Sequence, residues 1–379
     1  MKEKTLLVIA LFFVQISSTF SLDTGTGVDG ACTEATLVSG QRTYNCTSLT
    51  ISAAGESNFS AAGGTALIIK VQNDVSINGV FNLNGGVGQA GNAGLPITGG
   101  LGGAGGLQGA NCTANNCSGS NGSGTGVGNG GTNGVSQIGG QSGGSGGAGA
   151  SYSTTGIAGG QGTEDLGGAG TPAAVAASAT YGDASTFETT FTTGSSGGAG
   201  GGGDDNGTLY ASGAGGGSGG NLRIIAGGDI NLNANITSNG GNGGAGNTHS
   251  GGGGAGSGGS IWLQSEGQIV IAVAANVTAL GGTGGAGAGN GGAGGAGGKG
   301  LIRIEDSDGS FNNIGNVDPT PTTRTVVTSG TSDLGVQNFS SDISCAIREI
   351  EDKNFIYILI SLIVGFSLSL LPIKSRTNL

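Results

Sequence analysis

The sequence NLRIIAGGDINLNANITSNGGNGGAG (221–246), followed by SIWLQSEGQIVIAVAANVTALGGTGGAG (260–287) and GLIRIED (300–306), decides the fold. Each copy is a short alternating apolar run, a polar or glycine break, a second alternating run and a glycine tract. Ile261 matches Leu222, 39 residues earlier, and Ile302 matches Ile261, 41 residues earlier. An earlier copy, ALIIKVQNDVSINGVFNLNGGVGQAG, occupies 66–91. A recurring period of about 40 residues points to a repeat architecture before any motif is read.

Within a copy the apolar positions have period two. Leu222 and Ile224 are followed by Ile230, Leu232 and Ile236, and Ile261 and Leu263 by Ile269, Ile271 and Val273. Leu67, Ile69 and Val71 are followed by Val75, Ile77, Phe81 and Leu83. Alternation rich in β-branched residues predicts half-buried strands. The breaks Gly227-Gly228, Glu266-Gly267 and Asn73-Asp74 read as turns. One copy buries little by itself, and stacked copies join their apolar stripes into one core. The fold class is therefore all-β, a parallel β-helix or solenoid.

Glycine loses the most backbone entropy on folding, and tracts such as GGAGAGNGGAGGAGGKG (284–300) invite a reading as loose chain. The alternative is a polyproline-II-type helix with three residues per turn. Gly-Gly-X spacing then leaves two bare edges, along which backbones can approach and bond to one another. The X residues are small, and the tracts recur in register with the strands. Ordered, polyglycine-II-like loops are the expectation.

Of 379 residues, 90 are glycine and 9% are charged, with a net charge of -11. Five prolines and no sustained Gly-X-Y exclude collagen. The 12 basic residues form no stripe in the sequence, so nucleic acid is not an expected partner. Residues 1–21 read as a signal peptide: Lys2 and Lys4, an apolar run, then Thr19-Phe20-Ser21 at the cut. Residues 22–305 form the glycine-rich domain, with a long insertion at 93–217. Residues 306–354 are a Ser/Thr-rich stalk. Residues 355–373 suit a membrane-spanning helix, and the basic tail at 374–379 places the main body outside. The expected address is the cell surface or outer envelope, with a single-pass anchor. Within the insertion, 171–194 is poor in glycine and carries Tyr181, Phe187 and Phe191, a candidate binding loop. The competing reading has these aromatics pin the loop to the stack.

In an oxidising compartment Cys32 and Cys46, flanking an expected first hairpin, and Cys112 and Cys117, in a polar loop, read as two local disulfides. Cys345 is left over, just before the span. No catalytic, cofactor or metal site emerges. His249, the one histidine, sits in a glycine loop with no second ligand near it in sequence. Asp306, Asp308 and Gly309 echo part of a calcium loop without its remaining ligands, Asp204 and Asp205 are another oxygen pair, and turn chemistry accounts for all four aspartates. Trp262 is either part of a sugar platform or cover for a thin core. The many GxGxxG matches open no helix after a strand, so nucleotide binding is rejected.

LIIKVQNDVSING, GGDINLNANITSNGG and GSGGSIWLQ resemble the glycine-rich, right-handed parallel β-helix proteins exported by many bacteria. The GGAGGAGG tracts are similar in composition to the PGRS regions of mycobacterial surface proteins, without a PE module. Cys345, a polar spacer, the apolar span and a basic tail resemble the cysteine-containing C-terminal sorting signals of the MYXO-CTERM class. That likeness implies a sorting protease as partner, with Cys345 as the processing site, although the tail has two separated charges rather than an arginine cluster. The resemblances imply an adhesin-like surface protein without catalysis, whose partners are the membrane and a glycan or a host or prey surface. A polysaccharide lyase or glycosidase is the alternative. It would need paired carboxylates, for which Asp229 and Glu266 stand near equivalent turns. Ice or crystal-surface binding is a third reading, weakened because the row Asn231, Asn233 and Asn235 gives way to Ala272 and Ala274 in the next copy.

Overall fold

The computed structural model describes residues 22–37, 43–53, 56–58, 66–92, 97–112, 119–134, 140–165, 175–182, 191, 193–309 and 311–326. The expected signal peptide, Cys117, Phe187, Cys345 and the span at 355–373 lie outside them. No helix among the described residues is long and apolar enough to cross a membrane.

The alternating runs become strands, and the chain visits three sheets in turn. After β1 (Ala31–Thr33) come β2 (Thr43–Cys46), β3 (Ser48–Ile51) and β4 (Glu56–Asn58), then β5 (Leu67–Val71), β6 (Val75–Ile77) and β7 (Val80–Asn82). The insertion contributes β8 (Gln141–Ser142), β9 (Gly203–Asp205) and β10 (Thr208–Tyr210). The repeats supply β11 (Asn221–Ala226), β12 (Ile230–Leu232) and β13 (Ile236–Thr237), then β14 (Ser260–Ser265), β15 (Ile269–Ile271) and β16 (Asn276–Thr278). The last strands are β17 (Leu301–Asp306), β18 (Asn312–Asn313), β19 (Asn316–Asp318) and β20 (Thr322–Thr325). Three of the four sheets among the described residues have the orders β2-β5-β11-β14-β17-β20, β1-β3-β6-β12-β15-β18 and β19-β16-β13-β7-β4. Their pairings are parallel. The architecture is all-β.

The repeat period is the strand register. Leu222 pairs with Ile261, and Ile261 with Ile302. Leu67 pairs directly with Leu222, and after β7 the N–H groups of Leu83, Gly85, Gly88 and Gly91 still donate to Thr237, Asn239, Asn242 and Ala245, so the insertion interrupts the sequence of the stack without breaking its register. Inward residues from successive rungs form one apolar cluster, including Leu49, Ile69, Ile77, Phe81, Ile224, Leu232, Ile236, Leu263, Ile271, Val277 and Ile304. Burying each such Leu or Ile contributes roughly 1.5–3 kcal/mol. Val273 departs from the expected alternation. It is 73% exposed, because β15 ends at Ile271 and a turn intervenes before Ala275 and Val277 point inward again.

The glycine tracts are ordered against one another. In the tract 143–151, Gly143, Gly146 and Gly149 donate to the carbonyls of Thr163, Gly160 and Ile157. Gly144, Gly147 and Ala150 donate to His249, Gly252 and Ala255, and Ser145, Ala148 and Ser151 donate to Thr132, Asn129 and Gly126. Each neighbour meets every third residue, so the tract turns once per three residues. Gly252, Ala255 and Gly258 donate on to Gly292, Gly295 and Gly298, and these donate back to Gly144, Gly147 and Ala150. The three tracts thereby close a ring of bonds that satisfies backbone groups far from water. The close approach requires glycine: a Cβ on Gly254 would lie 1.9 Å from the carbonyl oxygen of Ala148.

Two other expectations need revision. Cys32 and Cys46 flank no hairpin, since β1 pairs in parallel with β3, and their disulfide links β1 to β2. The stack does not stop at 305: β18, β19 and β20 add to β15, β16 and β17, so residues 312–325 are rungs rather than stalk. In the insertion the runs 143–150, 194–203 and 211–220 are buried, and β8, β9 and β10 form a small antiparallel sheet.

Candidate functional site

The turns between rungs hold most of the acidic candidates, and their carboxylates stitch one rung to the next. Asp74 Oδ1 accepts the N–H of Asp229 at 2.8 Å. Asp229 Oδ1 accepts the N–H of Gln268 at 2.8 Å, and Gln268 Nε2 donates to Asp308 Oδ2 at 3.4 Å. Asp74 and Asp229 thus do the same job in successive rungs. Glu266 Oε1 accepts the N–H of Leu22 at 3.0 Å. Each member of the candidate glycosidase pair is therefore engaged with a backbone donor. The asparagines behave alike: Asn233 Nδ2 donates to Asn78 Oδ1 at 2.8 Å, and Asn235 Oδ1 accepts from Asn276 N and Nδ2, both at 2.9 Å. The row considered for crystal-surface binding has two of its members in rung-to-rung bonds.

The oxygen clusters are only partly bonded locally, since Asp204 Oδ2 and Asp306 Oδ2 are buried without a hydrogen-bond partner among the described residues. Asp204 Oδ1 accepts the N–H of Gly207 at 3.1 Å, across the turn where Asn206 and Gly207 have positive φ. Asp205 Oδ1 accepts from Gln141 Nε2 at 3.4 Å. Asp306 lies on the inward side of β17, in register with Thr325, and is 2% exposed. Burial, and then the nearby Asp308 carboxylate, raise its pKa above the ordinary value of 3.8. His249 has a positive φ of 56°, and its Nδ1 accepts the Asn290 N–H at 3.3 Å. Among the described residues no three His, Cys, Asp or Glu side chains gather as a metal site.

The candidate loop aromatics that are described pack inward. Tyr181 sits 5.0 Å from Tyr152 between ring centroids; its hydroxyl donates to Thr193 O at 2.5 Å and accepts from Ser195 Oγ at 2.9 Å. Burial pushes the Tyr181 phenol well above its usual pKa. Phe191 lies 6.1 Å from Trp262. Cys32 and Cys46 are buried and bonded, and Cys112 is disulfide-bonded. A polar cleft lined by Gln108, Asn111, Ser120, Asn121 and Ser123 opens on the insertion.

The most developed side-chain cluster was not foreseen as a unit. On the outward face of the β2–β20 sheet, Arg223, Trp262 and Arg303 are register partners on adjacent strands β11, β14 and β17. The Arg223 guanidinium carbon lies 3.9 Å from the Trp262 ring centroid and that of Arg303 5.1 Å. Trp262 is 4% exposed, so its ring serves as a support for cations rather than an open sugar platform. Arg303 Nε and Nη2 meet Glu305 Oε1 at 2.6 and 2.5 Å. Gln264 links the two arginines, accepting from Arg223 Nε at 2.8 Å and donating to Glu305 Oε2 at 2.6 Å. Burial lowers the pKa of Arg223, against the pull of Glu305. Applying the 39- and 41-residue spacings to the charged positions, rather than only to the apolar ones, would have lined up this row. Comparison of the chain with protein-family models, with curated proteins and with solved structures finds no match.

Proposed function

We propose that this chain is an exported, membrane-anchored or sorted surface protein of adhesin-like character with no catalytic activity of its own. Its described region is read as a parallel β-helix, with each rung crossing three sheets and polyglycine-II-like tracts packed beside it. The observation that carries the reading is the engagement of the turn carboxylates. Asp74 and Asp229 each hold a backbone N–H group of the next rung through Oδ1, as a structural element does. A stack in which the backbone supplies most of the bonding suits rigid display outside the cell.

The address has a structural correlate. Signal cleavage after Ser21 would turn the Leu22 N–H, now 3.0 Å from Glu266 Oε1, into an ammonium facing that carboxylate. Cys345 is the processing site for a sorting protease in this reading, with the span at 355–373 as the anchor. Membrane retention and tail removal unchanged in Cys345→Ser would remove the sorting role. For the function itself, the full chain is applied to a glycan and cell-surface array while released reducing ends and unsaturated products are assayed. Adhesion without hydrolysis is expected. Polysaccharide cleavage abolished by Asp229→Asn would hand the case to the glycosidase or lyase alternative.

A further inference from the structure

The described residues include five basic side chains: Lys70, Arg223, Lys299, Arg303 and Arg324. Four of them stand on the outward face of one sheet, on β5, β11, β17 and β20. Alternation forces this placement for three of them, because their strand neighbours Ile69, Ile224 and Ile304 point into the core, and Arg324 follows as the register partner of Glu305. In a chain of net charge -11 this gathering of cations is a local reversal of sign, although Arg303 and Glu305 are buried together, which leaves Arg223 as the arginine of the row that reaches solvent.

Within that face the arginines differ. Arg303 is consumed by Glu305. Lys70 is paired with the exposed Asp23. Arg223 is half-buried and fixed on the Trp262 ring, with its Nε oriented by Gln264. Its two terminal nitrogens have no hydrogen-bond partner among the described residues. A held guanidinium with an open pair of N–H groups matches a carboxylate in fork geometry. Little side-chain entropy remains to be lost on binding, since the stack has already fixed it.

We propose that this face binds the carboxylates of an acidic polysaccharide, with Arg223 making the bidentate contact. This rests on the adhesive reading above and names its ligand class. The chemistry favours a carboxylated glycan over a polyphosphate. Duplex DNA carries about one charge per 1.7 Å, which calls for a dense basic surface, whereas this face offers one open guanidinium beside two acids. Amide and hydroxyl groups, such as Asn45 and Thr322 on the same face, suit the sugar hydroxyls between carboxylates.

The test is binding of the full chain to immobilised polygalacturonate, with neutral dextran and inorganic polyphosphate as parallel arms. Binding to polygalacturonate alone, weakening as salt rises past about 0.15 M, is expected. Arg223→Gln should lower the affinity about ten- to a hundredfold, the scale of a lost charge-assisted pair. Arg223→Lys keeps the charge without the fork and should lose part of it, while Lys299→Gln, off this face, should change nothing. Thermal melting checks the fold of each variant, and if Arg223→Gln melts early, Arg223→Lys decides. Undiminished binding in the folded Arg223 variants, equal binding to polyphosphate, or no polygalacturonate binding each overturns the proposal. Adhesion to other surfaces without polygalacturonate binding would overturn this site and leave the adhesive reading standing; adhesion to nothing would end that reading.

Discussion

Replacing Gly254 by alanine tests the packed glycine tracts at one atom. The new Cβ would stand 1.9 Å from Ala148 O and 2.4 Å from Ala148 C, both backbone atoms with no rotamer to escape through. Restoring an ordinary contact means moving one tract by about 1.5 Å, since contacts below about 3.4 Å are already tight. The bonds from Gly147 to Gly252 and from Ala150 to Ala255, each 3.0 Å, would then stretch beyond hydrogen-bonding range. Overpacking costs typically about 1–3 kcal/mol. Each buried backbone group left unpaired adds about 1–3 kcal/mol. Against this, alanine restricts the unfolded chain and returns about 0.4–1 kcal/mol. The net expectation is a loss of about 2–5 kcal/mol. Gly160→Ala is the graded comparison, because its Cβ would meet nothing closer than 3.0 Å, and it should cost less than about 1 kcal/mol. Urea unfolding followed by the fluorescence of the single tryptophan, Trp262, reports both. Gly254→Ala with the midpoint and slope of the parent chain would refute the packing argument.

Two further outcomes follow from the core and from the buried Asp306. Ile271→Ala should cost about 2–5 kcal/mol because the side chain is fully buried, whereas Val273→Ala, at 73% exposure, should stay within about 0.5 kcal/mol; equal urea midpoints for the two would contradict the assigned inward face. Asp306→Asn should stabilise the protein at neutral pH. The folded-state pKa of Asp306 is raised, so its ionisation opposes folding above that pKa; the penalty fades as pH falls, and below the ordinary 3.8 both states are protonated. Melting temperatures across pH should therefore show an advantage for the variant that closes in acid, and an advantage that grows in acid would reverse the sign of the argument.

The strands were legible because their inward positions are apolar and alternate. Leu222, Ile261 and Ile302 align by counting alone, and the structure pairs them in that register. The three-residue spacing of the tracts was also legible, since small residues recur where close backbones tolerate nothing larger. The last rung was not. Asn312–Asn313, Asn316–Asp318 and Thr322–Thr325 offer almost no apolar alternation and are largely exposed, so they looked like stalk. Pairing with β15, β16 and β17 holds them, and that is a property of their neighbours. Val273 misled for the opposite reason, as an apolar residue continuing a period after its strand had ended. The presumed hairpin at Cys32 failed because a spacing of 14 residues does not distinguish an antiparallel turn from a passage between sheets. The Arg223–Trp262–Arg303 row escaped notice because outward residues carry no hydrophobic signal.

The most direct measurement is residue-resolved amide hydrogen exchange over 291–298. Gly291, Gly292, Gly294, Gly295, Gly297 and Gly298 donate to backbone carbonyls, whereas Ala293 and Ala296 donate to none among the described residues. Packed tracts with three residues per turn predict slow exchange at those six glycines and fast exchange at the two alanines. Uniformly fast exchange across the segment would contradict the account, because glycine tracts that open freely cannot be part of the bonded stack.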